Sequence, residues 1–279
     1  MAEKKKIDKK SFTVRLISGI VLVLLALLTV PRGGAVLLAV VAAISLIGIS
    51  ELYHVFGIHN KLLGLVGYAG AAAYYLFLFL DKENLVLPLL VGVFILCMAV
   101  YVFSFPKFGT EQVMGVFFGL FYAGILLSFL YLTREMKDGI YLVWLIFLSS
   151  WGCDTSAYCV GILLGKHKMA PVLSPKKTVE GAVGGVIGSG LLGCAYGVFF
   201  GQQMVEFSHP ALECAAICMV GALISQVGDL AASAIKRNHG IKDYGKIIPG
   251  HGGIMDRFDS IIFTAPMIYY AAMLLQTVI

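Results

Sequence analysis

Three aspartates stand at the ends of two apolar segments in the C-terminal part of the sequence. Asp229 lies inside one segment, and Asp256 and Asp259 are three residues apart, hence on one helix face, at the start of the next. An unpaired carboxylate inside a membrane costs at least about 2.5 kcal/mol. Converging carboxylates therefore predict a hard cation, Mg²⁺ or Mn²⁺, with room for a second cation. The alternative is ion pairing with the nearby basic residues Lys236, Arg237 and Arg257.

A charge-dense loop, residues 236–257, connects these two segments. Ser225, Asp229, Ser233 and Lys236 are spaced by 4, 4 and 3 residues, so they form one polar stripe that leads along a helix into the loop. Inside the loop, a histidine surrounded by glycines, His251, is the histidine that we expect to be functional.

A second basic loop covers residues 165–180. Ser174 followed by Pro175 predicts a helix N-cap with proline at the first helical position. Lys176 and Lys177 would then lie in the first helical turn. A helix N-terminus with two lysines can bind a polyanion such as a triphosphate. The alternative is the ordinary excess of lysine beside membrane spans on the cytoplasmic side.

A polar stripe also occurs in an earlier apolar segment. Ser150, Asp154 and Tyr158 recur every four residues, which places them on one face of a helix. A carboxylate within a membrane segment is a functional candidate by default, and a structural hydrogen bond to another helix is the alternative.

Composition identifies the kind of protein that must position these residues. Of 279 residues, 59% are apolar and only 13% are charged, against about 45–50% and about 25% in soluble domains. The mean hydropathy of +0.90 excludes disorder. Because the apolar runs are continuous rather than alternating, they predict an all-α, polytopic integral membrane protein instead of a membrane β-barrel.

About nine transmembrane helices are expected, with the first one retained rather than cleaved. The candidate spans are 14–30, 33–50, 62–80, 85–105, 113–132, 139–164, 181–201, 211–235 and 257–279. In this arrangement 17 of the 21 Lys and Arg residues fall on one side, which predicts a cytoplasmic N-terminus and places both basic loops in the cytoplasm. We expect residues 1–130 to be structural or to mediate dimerisation and residues 131–279 to be catalytic.

The sequence of residues 233–259 resembles the full signature of the phosphatidate cytidylyltransferases, or CDP-diacylglycerol synthases. The matching positions run Ser-x-Ile-Lys-Arg, Lys-Asp-x-Gly, Ile-Pro-x-His-Gly-Gly-Ile and Asp-Arg-Phe-Asp. Residues 154–158 and 174–181 resemble the two other polar segments of that family. The resemblance implies a multi-pass enzyme of the cell membrane with its active site facing the cytoplasm. It would convert CTP and phosphatidic acid into CDP-diacylglycerol and pyrophosphate in phospholipid biosynthesis.

The resemblance also suggests roles for individual residues. Asp229 and Asp256 are implied most firmly as metal ligands, and the chemistry adds Asp259. The expected catalytic group is Asp229, Asp256, Lys236, Arg237 and His251. The expected substrate-binding residues are Ser174, Lys176, Lys177, Thr178, Glu180, Lys242, Asp243, Gly252, Gly253, Arg257, Asp154 and Tyr158. Among these, Ser174 and the two adjacent lysines would hold the CTP phosphates, and the two glycines would let backbone N–H groups approach phosphate oxygens.

Other functions remain open at this point. A CTP-dependent polyprenol or phytol kinase would use a similar lysine-rich loop, although the signature argues against it. A CDP-alcohol phosphotransferase would need an Asp-Gly-x2-Ala-Arg run, which the sequence lacks. An ion-coupled transporter using Asp154 and Asp229 would require two matching halves, and there is no internal repeat. Besides CTP and phosphatidic acid, we expect membrane lipids as partners, no nucleic acid, and a homodimer permitted by glycine-rich helices.

Overall fold

A computed structural model of the protein describes residues 9–248, 250 and 252–278. Apart from one short hairpin, the regular secondary structure of these residues is helical, which confirms the all-α prediction. The elements are α1 (Lys9–Thr29), α2 (Gly34–Val55), α3 (Leu62–Phe79), α4 (Val86–Phe103), α5 (Thr110–Gly119), α6 (Leu126–Glu135), α7 (Gly139–Phe147), α8 (Cys153–Leu164), β1 (Lys168–Ala170), β2 (Ser174–Thr178), α9 (Val179–Phe200), α10 (Pro210–Asn238) and α11 (Met255–Val278). Short 3₁₀ turns, Glu83–Leu85 and Gly201–Gln203, precede α4 and follow α9.

Two of the predicted spans are built from paired helices. The π-helical segment Leu120–Ile125 joins α5 to α6, and Leu148–Gly152 joins α7 to α8. Within the described residues, eight helical segments are long and apolar enough to cross a membrane, and the shorter apolar helix Ile17–Thr29 matches the first predicted span. The prediction of a polytopic membrane protein is therefore confirmed, with eight such helical segments in the described part of the chain where about nine spans were expected.

Helix ends differ from the predicted span ends by a few residues. The largest differences are at α1, which begins at Lys9 rather than 14, and at α2, which continues to Val55 rather than 50; α10 continues to Asn238 rather than 235. The last turn of α10 contains Lys236 and Arg237, whose positive charges are favourable at a helix C-terminus. The polar stripe that begins at Ser225 thus remains helical through Lys236.

The hairpin between α8 and α9 corrects one prediction. Ser174 does not cap a helix, because β2 pairs antiparallel with β1, with Lys168 opposite Thr178 and Ala170 opposite Ser174. Helix α9 begins at Val179, and the Oγ1 atom of Thr178 accepts the N–H of Gly181 at 3.2 Å. The physical reason is that two lysines in a first turn oppose the helix dipole, whereas the fixed φ of proline is also compatible with an edge strand.

Glycines on α9 allow close contact with the two neighbouring helices. A Cβ atom at Gly184 would lie 2.5 Å from Val160 of α8, and one at Gly193 would lie 2.5 Å from the carbonyl oxygen of Cys214 in α10. These glycines serve helix packing inside the chain. They give no support to the expected homodimer, which stays a prediction.

Buried tyrosines connect the helices of the N-terminal half. Tyr53 on α2 donates to the carbonyl oxygen of Val116 at 2.9 Å, and Tyr75 on α3 donates to that of Gly124 at 2.8 Å. Pairing buried hydroxyls in this way avoids the cost of an unsatisfied polar group. Helix α2 packs on α6, and α6 packs on α11, so the N-terminal helices are in contact with the helix that carries Asp256. The division at residue 130 stays a prediction.

Candidate active site

Three elements, β2, α10 and α11, bring acidic and basic side chains together in two ion pairs. Asp229 on α10 forms an ion pair with Lys177 of β2, and Lys236 on α10 forms one with Asp256 on α11. About a quarter of each side chain in the first pair is exposed, whereas Lys236 and Asp256 are 12% and 4% exposed. The second pair is therefore screened far less by solvent.

Asp256 is held at both carboxylate oxygens. Its Oδ1 atom accepts a hydrogen bond from Lys236 Nζ at 2.8 Å. Its Oδ2 atom accepts the N–H groups of Tyr244 at 2.8 Å and Gly253 at 2.9 Å. Hydrogen bonds to a charged acceptor are shorter and stronger than neutral ones, so this carboxylate organises the loop before α11.

Tyr244 closes the same loop against α10. Its hydroxyl donates to the carbonyl oxygen of Ala232 at 3.0 Å, and the ammonium of Lys236 lies 5.3 Å from the centre of its ring. Burial raises the pKa of the Tyr244 phenol above its ordinary value, so the hydroxyl remains a donor at neutral and moderately alkaline pH. The sequence analysis did not single out this residue.

Asp154 and Asp259 lie on either side of a serine. Ser260 Oγ is 3.5 Å from Asp154 Oδ2 and 3.3 Å from Asp259 Oδ1, and one hydroxyl hydrogen can serve only one of them at a time. Both aspartates line a cavity of about 200 Å³, together with Asp256 and Arg257. The π-helical segment before α8 directly precedes Asp154, a placement common near functional sites.

The arrangement combines elements of both alternatives for the aspartates. Asp229 and Asp256 have lysine partners, and Asp229 is paired with a lysine that the sequence analysis assigned to phosphate binding. Within the described ranges, no three His, Cys, Asp or Glu side chains are arranged to enclose a metal. The donors that are near one another are carboxylate and hydroxyl oxygens, which fit a hard cation such as Mg²⁺. The cation itself stays a prediction.

Two larger cavities adjoin this cluster and share Lys176. One, of about 650 Å³, is polar and is lined by Lys176, Lys242, Asp243, Gly245, Lys246, Ile248, Gly250, Gly252 and Arg257. The other, of about 470 Å³, has largely apolar walls and is lined by Asp154, Ala157, Tyr158, Gly161, Ile162, Met169, Lys176, Lys177, Thr178, Gly181, Ala182 and Gln226. Arg257 connects the polar cavity to the smaller cavity at Asp154.

Several predicted site residues have other roles in this structure. The carboxylate of Glu180 accepts the N–H of Lys166 at 3.0 Å and contacts His167 Nδ1 at 2.5 Å, so it fixes the base of the hairpin. Ser174 is engaged in the strand pairing, and Arg237 is exposed at the end of α10. His251 lies outside the described residues.

Of the two loop glycines predicted to approach phosphate, Gly253 directs its N–H to another partner and Gly252 remains at the polar cavity. The N–H of Gly253 points to Asp256 rather than towards an open phosphate site. Gly252 has φ of +88°, a conformation that glycine adopts without strain, and a Cβ there would lie 2.6 Å from Asp256 Oδ2. Gly252 lines the polar cavity, so it can still approach a ligand.

One residue of this site was missed entirely. Glu51 was assigned to a loop beginning at residue 51, but it lies in the last turns of α2 and is only 4% exposed. It accepts two backbone N–H groups at the start of α11. The available signal was a single carboxylate at the end of a strongly apolar run, which is the situation that elsewhere marked Asp154 and Asp229 as candidates.

Comparison with known proteins identifies similarity to cytidylyltransferases along most of the chain. The sequence matches the model of the cytidylyltransferase family over residues 13–275. A phosphatidate cytidylyltransferase of Staphylococcus haemolyticus is 33% identical over 260 residues, which is 91% of this chain and 96% of that protein. Similar proteins of that name occur in Staphylococcus saprophyticus, 33% identical over 261 residues, and in Staphylococcus aureus strain COL, 32% identical over 260, with the same coverage of both chains.

Proposed function

Because the chain belongs to the cytidylyltransferase family and is a membrane nucleotidyltransferase, we propose that it transfers CMP from CTP to phosphatidic acid at the cytoplasmic membrane face. The products are CDP-diacylglycerol and pyrophosphate. The observation that carries this proposal is the pair of unlike cavities that share Lys176, one polar and one largely apolar. A reaction between a water-soluble nucleotide and a lipid needs two such compartments side by side.

The polar cavity suits the triphosphate of CTP. Lys176, Lys242, Lys246 and Arg257 line it, and Asp243 is the acid among its lining residues. Four cations around one space attract a polyanion and can follow its charge as it redistributes. The glycine backbone at Gly252 gives the phosphates close access to the loop.

The second cavity suits phosphatidic acid. Ile162 and Met169 form part of its apolar wall, and Lys176 and Lys177 stand at its polar end beside Asp154. A lipid could lay its acyl chains along the apolar wall while its phosphate reaches the lysines. The phosphate would then lie next to Lys176, which also lines the CTP cavity.

The chemistry needs little proton transfer. A phosphate oxygen of the lipid attacks the α-phosphorus of CTP, and the bond from that phosphorus to the β-phosphate oxygen breaks and releases pyrophosphate. The attacking phosphate is already an anion, so alignment and charge neutralisation carry most of the catalysis. Lys176 and Lys177 reduce the repulsion between the two anions, and Arg257 is placed to interact with the departing pyrophosphate.

The proposed cation is Mg²⁺, with Asp229, Asp256 and Asp259 as the residues that would hold it. When bound, it supplies charge neutralisation at the phosphates. Lys177 and Lys236 neutralise two of these carboxylates in the present structure, which stabilises the acidic cluster. The cytoplasmic orientation is supported by the 17 of 21 basic residues on the side of the two loops.

The test is direct synthesis by the purified protein. The chain in detergent is mixed with CTP, Mg²⁺ and phosphatidic acid, and CDP-diacylglycerol and pyrophosphate are measured in equal amounts. Lys82→Gln, which changes a residue on the opposite side, serves as the control and should be fully active. Release of CDP with phosphorylation of a polyprenol would support the kinase alternative, and no CMP transfer to phosphatidic acids of several chain lengths would refute the proposal.

A further inference from the structure

We propose that Glu51, in the N-terminal half of the chain, is a positioning residue for the reaction. Its carboxylate fixes the backbone from which Asp256 and Arg257 extend into the site. This inference rests on the proposed function. It assigns a part in the reaction to α2, which the sequence analysis placed in a structural or dimerisation region.

The contact spans a long stretch of sequence. Glu51 Oε1 accepts the N–H of Ile254, and Oε2 accepts the N–H of Met255, both at 2.9 Å, across 203 and 204 residues. The preceding N–H, that of Gly253, is bound by Asp256. Three successive N–H groups are thus held by two carboxylates, one from α2 and one from α11.

Burial makes this contact costly to replace. Glu51 is 4% exposed, and a buried carboxylate must be compensated by hydrogen bonds. The first N–H groups of a helix have no partner within the helix, and the helix dipole favours a negative charge there. Glu51 satisfies both requirements at the start of α11. An amide in the same orientation would offer its carbonyl oxygen to one of these N–H groups and direct its own N–H₂ group at the other.

Two loop glycines, Gly245 and Gly253, lie so close to the Glu51 carboxylate that a side chain at either position would collide with it. A Cβ atom at Gly245 would lie 2.4 Å from Glu51 Oε1, and one at Gly253 would lie 2.4 Å from both oxygens. Neither glycine has a positive φ, so backbone conformation does not explain the absence of a side chain there. The carboxylate itself is the obstacle. The middle of the loop and its C-terminal end therefore both pack against Glu51.

The consequence for the site follows from the chain path. Gly245 and Gly252 line the polar cavity, and Arg257 lines it from the first turn of α11. Glu51 is not among the residues that line the three cavities described above, and its two hydrogen bonds go to the backbone, so it acts through the loop and not on a substrate. Loss of its two hydrogen bonds should displace Asp256 and Arg257 without removing either group.

The first test compares Glu51→Gln and Glu51→Asp with the wild type and with Glu83→Gln, a change at an exposed site. We expect kcat for CMP transfer to fall about 10- to 100-fold in Glu51→Gln, the range typical of residues that orient a ligand-binding group. KM for CTP should rise by a smaller factor than kcat falls, because Lys242 and Lys246 keep their charges in the cavity. Glu51→Asp should recover part of kcat, and Glu83→Gln should match the wild type. Activity is normalised to the folded fraction from size-exclusion chromatography.

The second test substitutes Gly253 and does not depend on enzymatic activity. Gly253→Ala should be strongly destabilising in the wild type and nearly neutral in Glu51→Ala, because the added Cβ then meets no carboxylate. This non-additivity in a double-mutant cycle is measured by thermal unfolding in detergent. In addition, hydrogen exchange of a peptide covering residues 252–256 should be faster in Glu51→Gln.

The outcomes separate the two proposals. If the wild type transfers no CMP, the proposed function fails. The double-mutant cycle and the hydrogen-exchange data still test whether Glu51 holds the backbone at the start of α11. If Glu51→Gln loses folded protein but the folded fraction keeps its kcat, Glu51 is only structural and the inference is wrong. Additive effects of Gly253→Ala and Glu51→Ala, or unchanged exchange, would likewise overturn it.

Discussion

Lys236 and Asp256 form a buried ion pair, with 2.8 Å between Nζ and Oδ1, that joins the last turn of α10 to the first turn of α11. The loop between them carries much of the signature that defines this protein's family resemblance. Because Asp256 also accepts two backbone N–H groups, the pair fixes the loop and the helix ends at once. The pair and these hydrogen bonds thereby fix the position of the Asp256 carboxylate.

This pair leads to a prediction about stability. Breaking a buried pair by removing one partner costs about 3–5 kcal/mol, whereas replacing both partners by neutral groups can be nearly neutral. We expect Lys236→Met and Asp256→Asn each to lower the free energy of unfolding, and the double variant to be more stable than Lys236→Met. All three should lose CMP transfer. Thermal unfolding in detergent and the synthesis assay measure the two effects.

The more exposed ion pair of Lys177 and Asp229 should contribute less to stability than the pair of Lys236 and Asp256. About a quarter of each of its side chains is exposed, so Asp229→Asn should have only a small effect on unfolding. Its CMP transfer should nevertheless fall by about 100-fold or more, because the carboxylate is a proposed cation ligand. Near-normal turnover of Asp229→Asn would remove that residue from the metal site.

The positions of these partners show how far the sequence could predict the site. Ion pairing of Lys236 with an aspartate of the cluster is one of the two alternatives for the aspartates, and the structure contains it as the contact between Lys236 and Asp256. The grouping of Asp229 with Asp256 and Asp259 stays a prediction. The partner of Asp229 could not be predicted in this way. Lys177 reaches it from a strand, and Ser-Pro-Lys-Lys is compatible with either a helix start or an edge strand.

Glu51 illustrates a second limit of prediction from sequence. Its contact with the start of α11 bridges 203 residues, and no local pattern encodes a contact across that separation. Only the packing of α2, α6 and α11 brings the carboxylate to the loop. Eight of the nine predicted spans, in contrast, correspond to described helices long and apolar enough to cross a membrane, because membrane thickness fixes the length of an apolar helix.

A third prediction concerns the polar cavity. Lys242→Gln and Lys246→Gln each remove one positive charge from its lining, so KM for CTP should rise by about 10-fold while KM for phosphatidic acid stays unchanged. Initial rates at varied CTP and fixed lipid measure the effect. Lys82→Gln, at an exposed site outside the cavity, is the charge-matched control. A rise in the lipid KM instead would exchange the assignments of the two cavities.

For the apolar cavity we expect a substitution to change KM for phosphatidic acid and not KM for CTP. Ile162→Gln places an amide on its wall, where it must be desolvated against an acyl chain, at a cost of about 1–3 kcal/mol. KM for phosphatidic acid in mixed micelles should therefore rise by about 5- to 100-fold, with KM for CTP unchanged. Leu87→Gln, at an exposed position of α4, should match the wild type. Equal effects of the two substitutions would show that general lipid contact, not the cavity, is responsible.

The packing of α9 provides the last prediction. Gly193→Ala introduces a Cβ 2.5 Å from the backbone oxygen of Cys214, and a backbone atom cannot move aside as a flexible side chain can. Overpacking of this kind costs about 1–3 kcal/mol. Gly92→Ala is the matched control, because a Cβ at Gly92 of α4 has no atom within 4 Å. It should leave the unfolding temperature unchanged or raise it slightly, since alanine is the better helix former. If Gly193→Ala unfolds at the same temperature as Gly92→Ala, α9 and α10 are less tightly packed than the structure indicates.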